Sequence, residues 1–73
     1  MKHNVQIGVE ILKELNKQKR SVSWLADEIN YDQSYLCKRL NKQHLNIELL
    51  YNISKSLSKD FFALFSDSLS NNY

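Results

Sequence analysis

The feature that most narrows the possible folds is a shortage: the chain has one glycine and no proline. Tight hairpins and sandwich loops draw on those two residues for their special backbone angles, so an all-β architecture has little to turn with. Leu, Ile, Lys, Glu, Ser and Asn recur throughout instead, and the fold class expected is all-α. At 73 residues the chain is one domain, with a core expected over about 6–66 and frayed termini, and any function must lie on the outside of a small helical scaffold.

Apolar spacing divides the chain into five helices. Ile7, Ile11 and Leu15 recur every four residues with Leu12 beside them, which predicts a first helix over about 6–18. Val22, Leu25, Ala26 and Ile29 predict a short second helix, from about Ser23 to Ile29, that Ser21 or Ser23 could cap. Asn30 stands where the chain must turn, and asparagine tolerates the left-handed conformation. Asp32 is a suitable N-cap for a third helix to about Leu40, with Leu36 and Leu40 inward, supported by Tyr31 or Tyr35. Asn46 caps a fourth with Ile47, Leu50, Ile53 and Leu57 on one face, and Asp60 could cap a fifth bearing Phe61, Phe62, Leu64, Phe65 and Leu69.

Charge is informative by position rather than by total. The net charge of +2 is too small to argue for nucleic acid alone. Asp27, Glu28 and Asp32 form an acidic block, after which Lys38, Arg39 and Lys42 follow with no acid until Glu48. Neither His3 nor His44 has a ligand partner at metal spacing, and no nucleophile and base stand together, so neither a cofactor, a metal nor catalysis is expected. No apolar run approaches the ~20 residues of a membrane span. The first ten residues, MKHNVQIGVE, hold no apolar signal core, and the lone Cys37 suits a reducing compartment, so a cytoplasmic location is expected.

The two short helices about Asn30 carry the most information. A helix of about seven residues, a three-residue turn and a capped second helix describe a helix-turn-helix, in which small Ala26 at the crossing lets the pair approach closely. Here the sequence resembles the phage-repressor-like (Cro/cI, XRE) family over roughly residues 6–66: SVSWLADEINYDQSYLCKRLN matches the helix-turn-helix, NIELLYNISKSL the helix after it and KDFFALF the closing helix. Asn30 and Ser58 stand where that family usually has glycine, and Arg39 stands at a position commonly aliphatic and buried.

The resemblance implies a five-helix lambda-repressor-like domain, with helices 2 and 3 as the helix-turn-helix. It further implies a bacterial or phage transcriptional regulator that binds double-stranded DNA by placing helix 3 in the major groove. Gln33, Ser34, Cys37 and Lys38 would then reach base edges: Gln33 can offer a donor and an acceptor to adenine, and Lys38 can donate to guanine. Ser23, Asn41, Lys42, Gln43 and His44 would meet phosphates, with Tyr35 as core, phosphate contact or both. Cys37 is either a small side chain, against a thymine methyl or simply exposed, or a cation-activated thiol. The stripe Phe61, Phe62, Phe65 suggests a homodimer, which would suit paired half-sites. No small-molecule ligand is expected. The competing reading is a protein-interaction module presenting Trp24, Tyr31, Tyr35 or the phenylalanines; a third is an antitoxin or accessory protein combining both activities.

Overall fold

The computed structural model describes residues 6–65, all of whose regular structure is helical. Helix α1 spans Ile7–Lys17, α2 Val22–Ile29, α3 Gln33–Asn41 and α4 Ile47–Leu57, and a further helical stretch occupies residues 62–65. Leu69, expected on the stripe of the last helix, lies outside the described residues, as does His3.

Three helices start where polar side chains replace the missing backbone acceptor. Ser21 Oγ accepts from Trp24 N at 3.0 Å, Asp32 Oδ2 from Tyr35 N at 3.0 Å and Asn46 Oδ1 from Leu49 N at 2.7 Å. Of the two serines that could cap α2, Ser21 does so. Helix α1 has no local cap; Gln43, from beyond α3, extends its Oε1 to accept from Gly8 N at 2.6 Å. Asp60 Oδ1 accepts from Phe62 N at 3.0 Å, at the entry to the last helical stretch.

All four helices end the same way. Lys19, Asn30, Gln43 and Ser58 adopt φ of 59°, 60°, 59° and 53°. The next residue's N–H then returns five positions: Arg20 to Leu15 O, Tyr31 to Ala26 O, His44 to Arg39 O and Lys59 to Ser54 O. This is the Schellman arrangement, which usually employs glycine. The single glycine is used elsewhere. A Cβ on Gly8, within α1, would fall on the Leu40 carbonyl of α3, so a side chain is excluded there by helix contact rather than by backbone angle.

The core draws on every element: Ile7, Ile11 and Leu15; Leu25 and Ala26; Leu36 and Leu40; Leu49, Leu50, Ile53 and Leu57; and Phe61. Helix α3 packs on α1 and α2, and α2 also packs on α4. Ala26 is buried, as a close α2–α3 approach requires. One expectation is corrected: Ile47, assigned to the inward face of α4, is 77% exposed, and Leu49 is buried instead. At about 100° per residue, Leu49, Leu50 and Leu57 fall within about 60° of Ile53, whereas Ile47 lies about 120° away. At the far end, Gln18 Nε2 donates to Glu14 Oε2 at 2.7 Å and to Leu57 O at 2.9 Å, and Lys59 Nζ lies 3.5 Å from Glu14 Oε1, joining α1 to the end of α4.

Candidate nucleic-acid interface

Helix α3 has one side in the core and the other in solvent. With Leu36 and Leu40 buried, the 3.6-residue period places Lys38 directly outward with Ser34 and Lys42 about 40° to either side, Asn41 and Cys37 toward one flank and Tyr35 and Arg39 toward the other. Gln33, at the first turn, is exposed with Ser34, Lys38, Asn41 and Lys42, whereas Cys37 is half-buried. Ser34 and Lys38 thus share the outer side of α3, and Gln33 is accessible at its N-terminal end.

The acids that precede this face do not neutralise it. Asp32 directs its carboxylate at Tyr35 N as the cap. The ion pairs formed among the described residues are Glu10–Lys13 and Glu14–Lys59, so Lys38, Arg39 and Lys42 have no carboxylate partner among them. These three cations, Tyr35 and His44 line a shallow groove of about 220 Å³ along the flank of α3.

Not every expected contact is equally disposed. Ser23 is exposed in the first turn of α2 and His44 is exposed after α3. Gln43 is half-buried and its side-chain oxygen is committed to Gly8 N, which leaves its amide hydrogens as the donors it could offer. Tyr35 is 44% exposed, and its hydroxyl accepts from Arg39 Nε at 2.9 Å and Nη2 at 2.6 Å. Arg39 is not among the contacts that the sequence predicts, although its spacing of four from Tyr35 is a readable sign that the two can meet on one helix flank.

Away from this flank, Trp24 covers the core edge of α2, with the Arg20 guanidinium 4.0 Å from its ring centre. The phenylalanines separate by role. Phe61 is wholly buried, so only Phe62, half-buried, and Phe65, 43% exposed, retain accessible surface. Those two line an apolar depression of about 290 Å³ with Leu45, Asn46, Ile47 and Leu50. Among the described residues no three His, Cys, Asp or Glu side chains gather as a metal site, and no helix is long and apolar enough to cross a membrane.

Comparison with protein-family models, curated proteins and solved structures finds no match to this chain.

Proposed function

We propose that this chain is a sequence-specific double-stranded DNA-binding protein, a cytoplasmic transcriptional regulator of the phage-repressor-like kind, in which α2 and α3 act as a helix-turn-helix. The observation that carries the reading is the α2–α3 unit. Two short helices are separated by three residues, with left-handed Asn30 ending the first, Asp32 capping the second and Ala26 buried, while α3 exposes Gln33 at its first turn and Ser34 and Lys38 on its outer side. That side has the width of one helix, which the major groove admits. Gln33, Ser34 and Lys38 are the base readers in this reading, with Cys37 at their margin. Ser23, Asn41, Lys42, His44 and the Gln43 amide hold phosphates.

A second reading, a protein-interaction module, draws support from the exposed Ile47 and Phe65 beside one apolar depression. The same surface would serve a homodimer on paired half-sites in the first reading. Selection from a random duplex pool separates the readings. The DNA reading expects an enriched motif that Gln33→Ala relaxes at one position, whereas Lys42→Ala weakens all sequences about equally. No binding to duplex even at ~50 mM salt would leave the interaction module as the better account.

A further inference from the structure

The groove beside Tyr35 contains the least expected residue of the chain. Arg39, at a position that the resemblance would make aliphatic and buried, is half-buried and folds back along α3 rather than extending into solvent. Tyr35 accepts from Nε and Nη2 through one hydroxyl, and the guanidinium carbon lies 5.0 Å from the Tyr35 ring centre. Tyr35 is itself supported: its ring stacks on Tyr31 with centres 5.9 Å apart at 28°, and Tyr31 packs against the core. The core therefore holds Tyr31, Tyr31 holds Tyr35, and Tyr35 fixes the guanidinium.

A guanidinium has five N–H donors. Two go to Tyr35, which leaves three, a pair of them on the terminal nitrogens that match an anionic oxygen pair. Lys38, Lys42 and His44 line the same groove, and no carboxylate lines it. Gathering Lys38, Arg39 and Lys42 without a counter-charge is unfavourable in the free protein, and an anion with several oxygens relieves it. We propose that the groove is a preorganised seat for one backbone phosphate of duplex DNA, with Arg39 as its two-donor ligand and Tyr35 as the residue that positions Arg39. This rests on the DNA-binding reading and revises Tyr35 from phosphate contact to support. Binding here gains because the arginine's rotamers are already restricted before the duplex arrives.

The test is binding of the full chain to a fluorescent mixed-sequence duplex, followed by anisotropy across a salt series. Thermal unfolding of each variant verifies its fold. Loss of one phosphate contact shallows the log–log salt slope by about 0.9, so Arg39→Ala and Arg39→Gln should both show that change with about tenfold weaker binding at low salt. Arg39→Lys should restore the slope but not the affinity, since an ammonium lacks the two-donor edge. Tyr35→Phe should keep the slope and weaken binding severalfold. Folded Arg39 variants with the wild-type slope overturn the seat while leaving the function standing, and Tyr35→Phe binding like wild type overturns its positioning role. Competition by inorganic phosphate beyond an ionic-strength-matched chloride control assigns the groove to a free anion and overturns the backbone-phosphate seat. Wild-type protein that binds no duplex at ~50 mM salt overturns this inference and the function together.

Discussion

Replacing Gly8 by alanine sets two effects of opposite sign against each other. Gly8 is the second residue of α1 and has no positive φ, so helix propensity alone favours alanine by at most about 1 kcal/mol. The contact with α3 opposes it. An alanine Cβ would lie 2.7 Å from the Leu40 carbonyl carbon and overlap the carbonyl oxygen, with Gln43 Oε1 at 3.0 Å. Ordinary contact begins near 3.4 Å, and the obstructing atoms at Leu40 are backbone, which cannot rotate away. Helix α1 must therefore shift from the end of α3, disturbing Ile7, Ile11, Leu36 and Leu40, all buried. Overpacking of this kind costs about 1–3 kcal/mol. Displacing Gly8 N from Gln43 forfeits a further ~1 kcal/mol hydrogen bond. The sum exceeds the propensity gain, and Gly8→Ala should destabilise by about 1–3 kcal/mol. For a chain of 73 residues each kcal/mol moves Tm by about 4–8 °C, so the loss is easily seen by circular dichroism. Asn16→Ala, on the exposed side of α1, is the control and should be neutral or slightly stabilising. A Gly8→Ala protein as stable as wild type would refute the α1–α3 contact as described.

Two further predictions concern stability. Lys19→Gly and Ser58→Gly should each stabilise the fold by about 0.5–1 kcal/mol, seen as a higher urea midpoint, because both residues hold positive φ that costs an L side chain more than glycine loses in entropy. A lower midpoint for both would contradict the left-handed helix ends; Gln43 is unsuited to this test because its side chain caps α1. The Gln18 side-chain hydrogen bond, followed by Lys59 nearby, lowers the Glu14 pKa from its ordinary 4.5, after burial has offset part of the effect. Since the folded value is the lower one, the ionised carboxylate favours the folded state above about pH 4.5, and the contribution is lost as pH falls through the folded pKa. Glu14→Gln should therefore be less stable than wild type near neutral pH and converge with it in acid, as followed by thermal unfolding across pH; a gap that persists unchanged at low pH argues against the ionised Glu14 contacts.

What is legible in the sequence is what neighbours along the chain decide. Ser21, Asp32 and Asn46 cap helices because their side chains reach a backbone N–H three residues on, and that geometry needs no knowledge of the rest of the fold. The inward stripes of α1 and α3 are legible for the same reason. Ile47 misleads because one apolar residue at the start of a helix fits a spacing pattern whether or not the stripe extends to it. Contacts between distant segments leave no local trace: Gly8 meets Gln43 across 35 positions, and Gln18 meets Leu57 across 39. Gly8 illustrates the difference best, since its sequence setting is that of an unfavourable helix residue and only the arrival of Leu40 makes a missing Cβ useful. The candidate site divides along the same line. Ser34 and Lys38 are readable as outward from period alone, and Gln33 from its place as the first residue after the Asp32 cap, whereas the role of Arg39 depends on Tyr31 stacking on Tyr35 across the turn into α3. With Tyr35 beside it, Arg39 is a cation held in place at the edge of the proposed DNA-reading face, a disposition that the proposed phosphate seat would use.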